Sequence, residues 1–156
     1  MTELPQFQKA LSQALRYISY QQRSVFEVRT KLLAKYPLDT TEAVLQRLRE
    51  LLLLDDERFA AQWVESRIKG KPRSIKLLSV ELSRKGISSE VIASSVSNVD
   101  DEHNAYVAGK KFLDKRMLNG VNKVKLKLLG HLTRRGYSYT VIRKAVEMLG
   151  NEMDMD

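Results

Sequence analysis

The sequence predicts an all-α protein of three tandem three-helix repeats, forming an elongated, curved array. Three observations predict it: a self-match at a fixed offset, helical apolar spacing nearly throughout, and no segment with strand alternation. Leu78, Leu82, Lys85, Gly86, Ser88, Val91, Ile92 and Val96 recur fifty residues later as Leu128, Leu132, Arg135, Gly136, Ser138, Val141, Ile142 and Val146. The first copy is Val28, Leu32, Lys35, Glu42, Val44 and Leu48, with two extra residues in the Tyr36–Pro37–Leu38 turn. Repeats spread surface along the chain, which suits a long partner better than a small ligand. The expected boundaries are 1–54, 55–99 and 100–150, followed by an acidic tail at 151–156 that should fray. The joins at Leu54-Asp55 and Val99-Asp100 leave no room for a flexible linker.

In the first repeat, Phe7, Ala10, Leu11, Ala14, Leu15 and Ile18 fall on one helical face. Ser24-Val25-Phe26-Glu27 reads as a capping box for a second helix, with Val25, Val28 and Leu32 as its buried stripe. Tyr36-Pro37 should end that helix, because the residue before proline avoids the helical region. Asp39-Thr40-Thr41-Glu42 reads as another capping box, and Val44, Leu48, Leu51 and Leu52 as the stripe of helix three.

In the second repeat Asp55 is placed to cap, with Asp56 and Glu57 at the positive end of the helix dipole. Phe59, Ala60, Trp63, Val64 and Ile68 form the inner face. Gly70-Lys71-Pro72 is a turn, with Pro72 suited to a first helical position. Ile75, Leu78 and Leu82 lead to Gly86, expected in the left-handed conformation past the helix end. Ser88 caps a short helix carrying Val91, Ile92 and Val96. In the third repeat Ala105, Ala108 and Phe112 mark the first helix and Asn119-Gly120 its turn. Val124, Leu128 and Leu132 mark the second, ended by Gly136. Ser138 caps the third, with Ile142, Ala145, Val146 and Leu149.

The hydrophobic share, 43%, is enough for a packed core. No cysteine is present, so disulfides and thiolate metal sites are excluded, which fits a reducing cytosol. The N-terminus shows no signal-peptide pattern, and the longest uninterrupted apolar run, Leu51–Leu54, is too short to span a bilayer. A cytoplasmic location is expected.

Few residues have the spacing that catalysis needs. His103 and His131 lack partners at metal-ligand spacing. Asp55-Asp56-Glu57 leads into a helix rather than a glycine-containing calcium loop. Gly70-Lys71 lacks the flanking residues of a phosphate loop, and no nucleophile elbow occurs. The expectation is a non-enzyme with no cofactor, metal site or catalytic residue.

The charge carries more information. Lys and Arg number 27 against 19 Asp and Glu, a net charge of +8, pointing to a polyanionic or acidic partner. Arg67, Lys69, Lys71, Arg73 and Lys76 cluster at the turn between the first two helices of the second repeat. Lys110, Lys111, Lys115, Arg116, Lys123, Lys125 and Lys127 do so at the matching place in the third. Arg16, Arg23, Arg29 and Lys31 occupy that region of the first. A second basic pair repeats before the glycine, Arg84-Lys85 and Arg134-Arg135. A positive site recurring along an array suits a linear polyanion, although helix C-termini favour cations for their own sake. Of the aromatics, Tyr137 and Tyr139 beside Arg134 and Arg135 are kept as stacking candidates, while Tyr17, Tyr20 and Tyr36 read as stripe or turn residues and Trp63 as core.

The run Leu53-Leu54-Asp55-Asp56-Glu57-Arg58-Phe59-Ala60, then Trp63-Val64, Arg67, the basic turn, Leu82 and Lys85-Gly86-Ile87, resembles the signature of the RecX family, bacterial regulators of the RecA recombinase. Ala14-Leu15, Arg23-Ser24, Glu27-Val28 and Leu32 resemble that family's opening; the third repeat matches by pattern and size. The resemblance implies tandem three-helix repeats and binding to RecA and its filament on single-stranded DNA. It implies lodging in the filament groove, with inhibition of ATP hydrolysis, strand exchange and coprotease activity, by a monomer without cofactor. Its partner-binding residues are expected among the basic clusters. The alternative is a nucleic-acid binder that acts by competing for DNA, and weak binding to single- or double-stranded DNA is compatible with either reading.

Overall fold

The computed structural model describes residues 3–116 and 121–154, with the main chain alone at 3, 4, 121–123, 153 and 154. Among the described residues the chain forms nine α-helices and no strand. They are α1 (Glu3–Tyr20), α2 (Val25–Leu33), α3 (Leu38–Glu50), α4 (Asp56–Gly70), α5 (Ile75–Arg84), α6 (Ser89–Ser95), α7 (Asp101–Arg116), α8 (Val121–Arg134) and α9 (Tyr139–Asp154). No helix among the described residues is long and apolar enough to cross a membrane. The expected Asn119-Gly120 turn lies outside the described residues, as does the side chain of Lys123.

The chain divides into two compact units, and α4 and α5 each run from one into the other. Unit 1 holds residues Met1–Gln62 and Leu82–Ser95; unit 2 holds Trp63–Glu81 and Val96–Asp156.

In unit 1, α1 packs on α2 and α3. Ala10 and Ala14 are fully buried, as their small side chains let α1 approach Val28, Leu32, Val44, Leu45 and Leu48. Leu15 was expected on the same face but is 39% exposed. Two further expectations are corrected. The helix-three stripe runs through Val44, Leu45 and Leu48, and the helix ends before Leu51 and Leu52, which are exposed. The capping box at Asp39 does not form. Helix α3 starts two residues earlier, with Pro37 in place of Asp39 at the cap position; Asp39 accepts from the Thr40 N–H, and Glu42 is drawn away to Arg29 at 2.7 Å.

In unit 2, α7 packs on α8 and α9 around Ala105, Ala108, Leu128, Leu132, Ala145 and Leu149. Gly109 allows the closest approach, because a Cβ there would meet the Leu149 side chain at 2.7 Å. Of the acidic tail expected to fray at 151–156, residues 155 and 156 lie outside the described residues. Helix α9 continues to Asp154, because buried Leu149 anchors its last turns and the Tyr106 hydroxyl donates to Glu152.

The same joint is built once in each unit. In unit 1, Ser24 Oγ accepts from the Glu27 N–H at 3.2 Å and donates to the Lys85 carbonyl at 2.7 Å, while the Val25 N–H donates to Asp56 at 2.9 Å. Of the predicted capping box, this half forms; the Glu27 carboxylate faces Arg23 and Lys85. In unit 2, Ser74 Oγ accepts from the Leu77 N–H at 3.0 Å and the Ile75 N–H donates to Asp101 at 2.9 Å. There the Ser74 N–H, not its hydroxyl, donates to the Arg135 carbonyl, also at 2.9 Å. Pro72 was expected to open α5, but Ser74 caps it and Pro72 is buried in the preceding loop. Gly86 (φ 76°) and Gly136 (φ 88°) complete the two joints. A Cβ at Gly86 would collide with Phe26, and one at Gly136 with Ser74 and Leu77. Asp55, Ser88 and Ser138 cap their helices as expected.

Candidate functional site

The basic residues of the second and third repeats separate into two kinds. Arg67 and Lys69 lie in the last turn of α4, where the helix dipole favours cations. Glu81 on α5 collects three groups from the α4 side. The Trp63 Nε1–H donates to it at 2.8 Å, Arg67 Nε lies 3.5 Å away, and Arg73 pairs with its other oxygen. The Arg67 guanidinium also lies 4.3 Å from the Trp63 ring centroid. Trp63 is therefore half-buried and engaged through its indole N–H. Arg67 and Arg73 hold the α4–α5 turn closed. Lys69 pairs with Glu65 one turn back at 2.7 Å, on exposed surface.

The second kind faces a groove of about 600 Å³. Lys71 and Pro72 from the loop, Lys111 and Lys115 from α7, and Arg135 at the end of α8 line it, with Phe112 and His131 on its apolar side. Lys111 and Lys115 are one turn apart, so the helical period puts both on one face. Among the described residues, Lys71, Lys111 and Lys115 make no ion pair, and all three are exposed. Arg116 lies 4.8 Å from the Phe112 ring, and the His131 ring stacks on the same phenyl at 4.7 Å. Lys110 points to the Tyr106 ring instead, at 5.9 Å. Lys76, Lys125, Lys127 and Arg134 are exposed outside the groove lining.

The groove's electrostatics are uniformly positive. Burial lowers the pKa of His131, and the charges of Arg135, Arg134, Arg116 and Lys71 lower it further. Burial also draws the Arg135 guanidinium down, with Arg73 and Arg134 adding to the effect. Cations already repelling one another gain most from an anion placed among them. Among the described residues no cluster of His, Asp and Glu could hold a metal ion.

Two sequence readings change here. Tyr137 is buried, with its pKa raised by burial, so it is a core residue and not a stacking platform; Tyr139 is exposed. Phe112 and His131 were not singled out as site residues, since stripe spacing and an isolated histidine carry no sign of a shared groove.

Two family models match the chain: RecX, first three-helix domain, over residues 10–48, and RecX, second three-helix domain, over residues 55–95. A Regulatory protein RecX from Mycolicibacterium smegmatis is 36% identical over 156 residues, covering 94% of this chain and 83% of the relative. The chain belongs to the RecX family. The Regulatory protein RecX of Clostridium perfringens is 29% identical, covering 97% of this chain and 73% of its own. The crystal structure of RecX from Lactobacillus salivarius has a TM-score of 0.78 at 22% identity, covering 94% of this chain and 98% of that one, and shares the fold. A crystal structure of regulatory protein RecX has a TM-score of 0.75 at 25% identity, covering 94% of this chain and 74% of that one. The RecX second-domain match contains Lys71, whereas Lys111, Lys115, His131 and Arg135 lie beyond it, in the repeat identified by its fifty-residue offset.

Proposed function

We propose that the chain is a non-enzymatic, cytoplasmic regulator of RecA. It binds the RecA filament on single-stranded DNA, lodges in the filament groove and slows ATP hydrolysis, strand exchange and coprotease activity. Membership of the RecX family, carried by 36% identity across 94% of the chain, is the observation that supports this reading most. The groove of Lys71, Lys111, Lys115 and Arg135 supplies the chemistry. Among the described residues its lysines make no ion pair, so an acidic surface or a phosphate displaces water and counterions. Many such modest contacts along a filament add as avidity, and a monomer suffices.

A second reading has one observation in its favour. The Phe112–His131 stack beside these cations is also chemistry that a nucleic acid uses, so competition for DNA is the alternative mechanism. Co-sedimentation separates the two. The chain should pellet with RecA filaments formed on saturated single strands and release with rising salt, and Lys111→Glu with Lys115→Glu should weaken pelleting. Pelleting with bare DNA but not with saturated filaments would favour competition.

A further inference from the structure

Unit 1 carries a groove of its own, of about 640 Å³, between the outer face of α1 and the end of α2. Three tyrosines line it: Tyr17, Tyr20 and Tyr36. Tyr20 is 78% exposed, far more than packing against α2 requires. Lys9, Arg16, Lys31 and Lys35 line the same groove, and no acidic residue does. Among the described residues none of these four cations makes an ion pair, whereas Arg23 and Arg29 nearby are paired to Glu27 and Glu42. The Tyr17 ring already holds cations, with Arg23 at 3.9 Å and Lys31 at 5.4 Å from its centroid. Spacing along α1 explains the arrangement. Lys9, Arg16 and Tyr20 recur at seven and four residues, which is one helical stripe, opposite the face that carries buried Ala10 and Ala14.

We propose that this groove binds single-stranded nucleic acid, with its cations on the phosphates and the exposed Tyr20 ring under an unstacked base. Charge selects an anionic partner, and the rings decide which kind. An acidic protein surface satisfies the lysines but leaves the exposed Tyr20 ring without a base to stack on, while Tyr17 and Tyr36 are half-buried against the core. A duplex offers phosphates but keeps its bases stacked. A single strand presents both at once, and base–aromatic stacking tolerates any sequence. The inference does not rest on RecA regulation, because the groove is in a different unit from the cluster invoked above and can be measured without RecA.

The test is fluorescence anisotropy with a labelled oligothymidylate, an abasic strand of the same length and a duplex, at one salt concentration. The full chain is used, carrying Lys111→Glu and Lys115→Glu to suppress the unit 2 groove. The thymidylate should bind about tenfold or more tighter than the abasic strand. Tyr20→Ala should remove that preference and Tyr20→Trp should keep it. Lys31→Glu with Lys35→Glu should weaken both strands alike. Tyr20 and the lysines are exposed, so each variant should fold, which circular dichroism checks. Equal affinity for the thymidylate and abasic strands would overturn the proposal, as would an unchanged Tyr20→Ala variant or tighter binding to an oligoglutamate peptide than to thymidylate.

Discussion

Ser24 Oγ donates to the Lys85 carbonyl at 2.7 Å while accepting from the Glu27 N–H, so one buried hydroxyl both caps α2 and ties it to the end of α5. Fifty residues on, Ser74 makes the corresponding tie to Arg135 with its backbone N–H and uses its hydroxyl for the cap alone. The joints are equivalent in place and different in chemistry. Ser24→Ala should therefore cost more than Ser74→Ala. The first loses a cap and the hydrogen bond to the Lys85 carbonyl, about 2 kcal/mol; the second loses the cap, about 1 kcal/mol. Urea denaturation of the two variants measures the difference, and equal costs would contradict the asymmetry.

Gly86 at a joint and Gly150 within α9 should respond oppositely to alanine. Gly86→Ala puts a Cβ at a positive φ and against Phe26, and should destabilise by about 2 kcal/mol or more. Gly150 sits within α9 with nothing near its missing Cβ, so Gly150→Ala should stabilise by about 0.5–1 kcal/mol. Leu52 is the reverse case. It holds φ 59° with its side chain 72% exposed, and Leu52→Gly should stabilise by about 1 kcal/mol. Thermal melts of the three variants give the signs directly.

The two kinds of basic residue should separate in mutagenesis. Arg73→Ala removes a partner of Glu81 and should lower stability by about 1–3 kcal/mol. Lys71, Lys111 and Lys115 are exposed and make no ion pair among the described residues, so changing each to Glu should leave stability within about 0.5 kcal/mol. The same three should weaken filament binding and flatten its salt dependence. A loss of binding by Arg73→Ala beyond its loss of folded fraction would place that residue at the interface after all.

His131 sets a pH dependence. Its folded pKa lies below the ordinary value of 6.5 because burial, then Arg135, Arg134, Arg116 and Lys71, disfavour the imidazolium. Folding therefore favours the neutral ring. The contribution is fully present above about pH 6.5 and is lost as pH falls toward the lower folded pKa. His131→Gln should flatten the stability profile across that acidic window. An anion in the groove should raise the His131 pKa, so its ring proton resonance should titrate at higher pH with inorganic polyphosphate than without. Unchanged titration on adding polyphosphate would show that the anion does not enter the groove.

Much of the helical framework was legible because buried positions repeat with the helical period. Val25, Val28, Leu32, Leu78, Leu82, Leu128 and Leu132 are all buried as that spacing requires. Gly86 and Gly136 were legible as left-handed helix ends for the same local reason. What failed depended on contacts distant in sequence. Glu42 resembles a capping residue until Arg29 is placed beside it. The basic clusters could be counted but not sorted. Glu81 removes Arg67 and Arg73 from the surface supply, and no spacing rule links position 81 to positions 63, 67 and 73 together. The groove brings Lys71, Phe112, His131 and Arg135 together from separate segments, and the unit 1 tyrosines hid on what looked like an ordinary helix face.

The most direct test is DNA-dependent ATP hydrolysis by RecA on saturated single strands, with this chain titrated from well below stoichiometry. Hydrolysis should fall at low ratios to RecA, before bare-DNA binding is detectable in the same buffer, and excess single-stranded DNA should not restore it. Inhibition that merely follows DNA occupancy, or no inhibition at all, would contradict the account.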